Sequence, residues 1–243
     1  MNENLTNIKQ LLTFWLSRQV EEKALIWIEE KQKEISQGAM NRGFFLAFSS
    51  VPRYTGKRDL KLTLDDWQAV ETLRSGWCPH NWSVDQTARI LLLLSVPHSN
   101  IQKYLQTLEQ LFMAADVSEL VALYQALPLL PYPEKHRFRA AEGVRSNMTA
   151  VFNAVALCNP YPAEHLDDIA WNQMVLKALF VGSPLHLIQG LDKRANPQLS
   201  LMLIDYARER WAANRSVSPE IWSAIKPYGD ISKVAELERL LAS

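Results

Sequence analysis

Apolar residues in this chain recur at three- and four-residue spacing, and no segment keeps a clean period of two over six residues. A period near that of the α-helix gathers apolar residues into one stripe, whereas a half-buried strand needs strict alternation. Leu5, Ile8, Leu12 and Trp15 form one such stripe. Leu25 and Ile28 mark a second, and Ile101, Tyr104, Leu105, Leu108 and Phe112 a third. Glycine occurs only eight times, and turn signals of the hairpin type are nearly absent. The pattern predicts an all-α protein.

Helix starts are well marked. Thr63 precedes LDDWQAV, with acids in the first turn. Ser83 stands three before Gln86, and Asp116 three before Glu119; both are capping-box spacings. Ser99 opens a further helix. Ser183-Pro184, Asn196-Pro197 and Ser218-Pro219 each put a cap residue before a proline suited to the first turn. These signals divide the chain into roughly ten to twelve helices of ordinary length. Helices joined by short loops pack as antiparallel neighbours. The expected architecture is a compact array of antiparallel helix pairs, an α-α superhelix of HEAT-like kind, without a repeat of fixed period. Eight tryptophans supply much of its packing. No Gly-, Ser- or charge-rich linker divides it, so residues 1–243 read as a single all-helical domain. Val51 to Asp59 is the weakest candidate boundary.

The 26 basic and 26 acidic side chains cancel, so no global field argues for nucleic acid or an anionic membrane. Lys57, Arg58 and Lys61 are compensated by Asp59, Asp65 and Asp66. Cys78 and Cys158 lie in no CxxC or Cys/His cluster and read as small buried hydrophobes. The longest apolar runs, Ile90 to Leu94 and Ala178 to Gly182, are far too short to span a bilayer. The N-terminal residues lack the pattern of a signal peptide. A cytoplasmic protein with no transmembrane segment is the expectation.

The richest stretch runs from Glu119 to Asn159. Leu127-Pro128-Leu129-Leu130-Pro131-Tyr132-Pro133 cannot be helical throughout, because prolines remove donors and push the preceding residue toward extended backbone. Its apolar residues predict a joint packed down on the core. A long helix is then expected from about Glu134 to Leu157. Ala141, Val144, Met148, Val151 and Val155 fall on one side; Lys135, Arg139, Glu142, Ser146, Thr149 and Asn153 fall opposite. Solvated helix faces usually carry long polar residues, yet the middle of this one is Ser, Thr and Asn. The face is either an ordinary solvated one or, as its short side chains suit, the floor of a polar groove or a packed helix interface. Arg139 and Glu142 are one turn apart and can pair, with Arg145 at the edge of the face. Such a set orients an anionic or hydroxylated ligand, or bridges helices.

Asn172 to Val181 is apolar on nearly every side, which predicts a central helix interrupted by Lys177. That lysine either snorkels to solvent or is partly desolvated, with a lowered pKa. The ligand-site candidates are therefore Arg139, Glu142, Arg145, Ser146, Thr149, Asn153 and Lys177. Asp205 and Glu209 have a spacing that can hold a cation, but Arg208 and Arg210 beside them favour ion pairing. His165 and Asp168, in HLDD, fall at a helix start, where acids serve the dipole. No metal site is expected, and no cofactor. There is no HExxH, no Walker loop, no nucleophile elbow and no Gly-rich dinucleotide fingerprint.

Several long blocks, in one order, resemble the EboA family: AFSSVPRYTGKRDL, DQTARILLLL, LFMAADVSELVALYQALPLLPYPE, RAAEGVRSNMTAVFNAVALCNPYP, AWNQMVLKALFVGSPL, GLDKRANPQLSLMLIDYARERWAA and VSPEIW. The likeness runs from about Arg42 to the C-terminus. It departs at ARERWAA, where Arg208 replaces a histidine common in the family. The resemblance implies a place in the bacterial ebo gene cluster. Its neighbours there are a UbiA-type prenyltransferase and TIM-barrel-like, dehydroquinate-synthase-like and phosphatase-like enzymes. In cyanobacteria the cluster is linked to scytonemin and to export of its precursor. The family supplies no catalytic residues to carry over.

Two functions are expected from these features. The first is a non-enzymatic binding or adaptor protein that supports biosynthesis or export of a secondary metabolite, with a small molecule or other ebo-cluster proteins as partners. The second is an enzyme of unfamiliar type, acting on a prenyl- or polyol-derived metabolite through Arg139, Glu142, Arg145 and Lys177. A third, structural reading buries the polar face in a homodimer.

Overall fold

The computed structural model describes residues 2–38 and 42–228 of the chain. It is all-α: the described residues form thirteen α-helices and no strand. In order they are α1 (Asn2–Ser17), α2 (Glu22–Ser36), α3 (Arg42–Thr55), α4 (Leu64–Leu73), α5 (Val84–Leu93), α6 (Ile101–Ala114) and α7 (Val117–Gln125). Then come α8 (Arg137–Arg145), α9 (Thr149–Ala156), α10 (Tyr161–His165), α11 (Asp168–Val181), α12 (Pro197–Ala212) and α13 (Trp222–Ile225). Short 3-10 turns stand at Leu127–Leu129, Pro133–His136, Leu185–Leu187 and Pro219–Ile221.

The capping chemistry explains most starts. Thr63 with Asp66, Ser83 with Gln86 and Asp116 with Glu119 each form a complete capping box. Each satisfies two backbone donors that a helix otherwise leaves open. Asn196 caps α12, with Pro197 in its first turn. Two expected starts differ. α6 is capped by Asn100, whose side chain accepts from the Lys103 N–H, and not by Ser99. After Ser183-Pro184 only a 3-10 turn forms, and the Leu185 N–H donates to the Glu220 carboxylate at 2.7 Å.

The chain divides into two compact units, Met1–Val155 and Ala156–Ser243. In the first, α5 is the central element and packs against α1, α2, α3 and α7. Every residue of α5 except Gln86 is buried. A fully buried Leu or Ile contributes about 1.5–3 kcal/mol, so the ILLLL run holds this unit together. Trp15, Trp77 and Trp82 are buried in a ring-to-ring chain, with centroids 5.9 and 5.6 Å apart. The Trp15 indole N–H and the Arg18 guanidinium both donate to Asp66, which ties α1 to the start of α4.

α5 also carries a buried ion pair. Arg89, 2% exposed, donates to Asp85 at 2.7 Å and to the Phe48 carbonyl of α3 at 3.2 Å. Asp85 further accepts from the Ser83 hydroxyl. Both charges are thereby held by hydrogen bonds within the unit.

In the second unit, α11 packs on α12, and α12 on α13. Trp171, Met174, Val175 and Ala178 form the buried face of α11. Ile169 and Phe180 remain 72% and 66% exposed, so α11 is not enclosed on every side as its composition led one to expect. Gly182 ends it in the left-handed conformation, φ 75°.

Candidate functional site

The proline joint is packed down as its composition predicts. Leu127, Leu129, Leu130 and Pro131 are buried. Tyr132 takes a left-handed backbone, φ 57°, and its hydroxyl donates to the His98 carbonyl at 2.7 Å. The buried His136 ring donates from Nε2 to the Pro131 carbonyl at 2.8 Å.

The helix beyond the joint is not continuous from 134 to 157. It consists of α8 and α9, separated by Ser146, Asn147 and Met148. Ser146 turns to extended backbone, ψ 135°, and its hydroxyl accepts from the Met148 N–H. Ser and Asn offer the backbone such local partners and so favour breaks. Gly143 gives the packing reason. A Cβ there would lie 2.5 Å from Val155 Cγ2 and 2.7 Å from the Tyr124 ring. In a straight helix, residues 143 and 155 stand about 18 Å apart along the axis. The chain doubles back so that α9 closes on α8.

The expected polar stripe is therefore divided. Arg139 and Glu142 lie on α8, Ser146 in the break, and Thr149 and Asn153 on α9. Arg145 and Thr149 are exposed, while Ser146 and Asn153 are partly buried. Arg139 and Glu142 do come together, at 2.6 Å. The same guanidinium grips Glu109 of α6 through Nε at 2.9 Å and through Nη2, and lies 5.2 Å from the Phe112 ring centroid. Glu109, invisible as a partner from local spacing, completes the set. Burial, and then the Glu142 charge, push the nearby Tyr124 phenol up to about 12.

Lys177 lies on α11, in the second unit; desolvation lowers its pKa. Asp205 and Glu209 are both exposed, and Arg210 donates to the Ser216 carbonyl. Asp167 caps α11, and Asp168 pairs with Arg194 at 2.8 Å. Among the described residues no three His, Cys, Asp or Glu side chains gather to hold a metal ion. No helix among them is long and apolar enough to cross a membrane.

The second unit holds a groove that the sequence did not single out. It lies between the first turns of α11 and α12 and encloses about 630 Å³. Ile169, Leu201 and Met202 give it apolar walls, Asn172, Gln173, Asn196 and Gln198 give it neutral amides, and Asp168, paired with Arg194, also lines it. That volume and mixture belong to small-molecule sites. Asn172 is only 4% exposed. Its Nδ2 donates to Asn196 Oδ1 at 3.1 Å, and Asn196 Nδ2 donates back to Asn172 Oδ1 at 2.8 Å. Asn196 also accepts from the Leu199 N–H and donates to the Arg194 carbonyl. It is thus committed, whereas Asn172 keeps one N–H and one lone pair among the described residues.

Arg194 steadies this floor. It donates to the carbonyls of Ala163 and Leu166 and to Asp168, and its guanidinium lies 5.0 Å from the Trp171 ring. The signals in the sequence were slight: one Asn in the apolar run of α11, and an Asn-Pro cap on α12.

A family model described as metabolite traffic protein EboA matches residues 8–226. No curated protein and no solved structure matches the chain. With nine-tenths of its length inside the match, this chain belongs to the EboA family.

Proposed function

We propose that this protein binds a small metabolite without transforming it, and that the groove between α11 and α12 receives it. In this reading it supports biosynthesis or export of a secondary metabolite alongside other ebo-cluster proteins, and residues 1–243 act as one family domain. The observation that carries the proposal is Asn172. A buried amide, locked by a reciprocal pair and keeping a donor and an acceptor, lies in the lining of a 630 Å³ groove with apolar walls. Unpaired buried polar capacity favours a partner that completes it. The matching ligand is uncharged and flat or apolar, with a hydrogen-bonding group such as an amide, phenol or indole N–H.

The enzyme alternative would assign chemistry to Arg139, Glu142, Arg145 and Lys177. It has less support, since Arg139 is already engaged by Glu109 and Glu142. Native mass spectrometry of freshly purified protein tests the proposal. It expects a non-covalent adduct that is lost on denaturation. A clean apo mass, together with no capture of other cluster proteins in pulldown, would sink it.

A further inference from the structure

A second groove lies in the first unit, between α1 and α2, and encloses about 460 Å³. Thr6, Lys9, Gln10, Thr13 and Phe14 of α1 line one side, and Gln32 of α2 stands opposite. On α1 these residues follow helical spacing, on a face beside the buried stripe of Ile8, Leu12 and Trp15. Gln32 is fixed by donating to the Ser95 hydroxyl at 3.2 Å.

Lys9 is the unusual member. It is partly buried, and its ammonium has no ion-pair or hydrogen-bond partner among the described residues. Desolvation lowers its pKa, and among the described residues no carboxylate pairs with it to offset the burial. Three arginines of this unit are, by contrast, held by carboxylates: Arg18 by Asp66, Arg89 by Asp85 and Arg139 by Glu109. A lone, partly desolvated ammonium in a groove calls for an anion.

We infer that the α1–α2 groove binds an aromatic carboxylate, with the carboxylate on the Lys9 ammonium and the ring against Phe14. One cation suits a monoanion better than a phosphate dianion, which needs several donors or an arginine fork. The guanidinium on the same helix, Arg18, is held by Asp66 at 2.5 Å. That guanidinium also lies 4.6 Å from the centroid of the Phe14 ring. Phe14 is nevertheless 54% exposed, so part of the ring is open for stacking. The Gln10 and Gln32 amides add neutral donors around the charge.

The test uses 2-naphthoate and its neutral analogue 2-naphthamide, titrated into the full chain while amide chemical shifts are followed. The wild type should bind naphthoate about tenfold or more tighter than naphthamide, as a charge-assisted bond requires. Shifts should concentrate on residues 6–17 and 32. Lys9→Met should abolish the preference, and Lys9→Arg should retain it. Equal binding of the two probes, an unchanged preference in Lys9→Met, or shifts centred on Asn172 would each overturn the inference.

Discussion

Gly143 and Val155 are in contact across the turn between α8 and α9, so closely that a Cβ on Gly143 would lie 2.5 Å from Val155 Cγ2. The Tyr124 ring closes the other side, at 2.7 and 2.9 Å. Gly143→Ala should therefore destabilise the protein by about 1–3 kcal/mol, the usual cost of overpacking. The better helix propensity of alanine opposes this by at most about 1 kcal/mol. Gly43, with nothing within 4 Å of its Cβ position, is the control and should tolerate alanine. Urea denaturation of both variants decides it: a Gly143→Ala protein as stable as wild type would mean that α9 does not close on α8.

This contact also shows what was legible in the sequence. The caps at Thr63, Ser83, Asp116 and Asn196 were readable because capping is a local bond between residues two or three apart. The all-α class followed from periodicity for the same reason. The break at Ser146 was not readable, because residues 134–157 keep helical spacing throughout. Close packing at Gly143, a tertiary fact, stands behind the turn. Glu109 and Asn172 were hidden for a related reason. Their partners, Arg139 and Asn196, lie 30 and 24 residues away. Spacing rules see only neighbours within a turn or two.

The Asp85–Arg89 pair in α5 is 2.7 Å long, with both residues nearly inaccessible. Arg89→Leu should cost about 3–5 kcal/mol, because it strands a buried carboxylate. It also removes the donor to the Phe48 carbonyl. Adding Asp85→Asn should recover part of that loss, since the remaining group is neutral. A thermodynamic cycle over the four proteins measures the coupling. Strictly additive losses would show that the pair is not an electrostatic unit.

Asp66 should make stability depend on pH. Burial alone raises its pKa, but bonds from Arg18 and from the Thr63 N–H and hydroxyl outweigh burial and leave it lowered. The folded value lies below the unfolded one, so the contribution is fully present above about pH 4. It is lost as pH falls through the folded value. Asp66→Asn should be less stable than wild type at neutral pH, and the gap should narrow toward acid. Urea midpoints between pH 7 and 2.5 provide the measurement, and a gap constant across that range would refute the assignment.

The α11–α12 groove can be closed by one residue. Leu201 is 42% exposed and forms part of the wall, so Leu201→Trp places its extra bulk in the groove and not in the core. Exposed substitutions of this kind change stability by less than about 0.5 kcal/mol. The variant should fold normally yet lose any co-purified metabolite seen with wild type. Leu201→Ala, which widens the groove and leaves Asn172 in place, should keep it, with a faster off-rate. Native mass spectra of the three proteins, prepared in parallel, separate the cases. An adduct retained in full by Leu201→Trp would place the ligand elsewhere. Loss in Leu201→Trp with retention in Leu201→Ala would tie binding to the space above the Asn172–Asn196 pair.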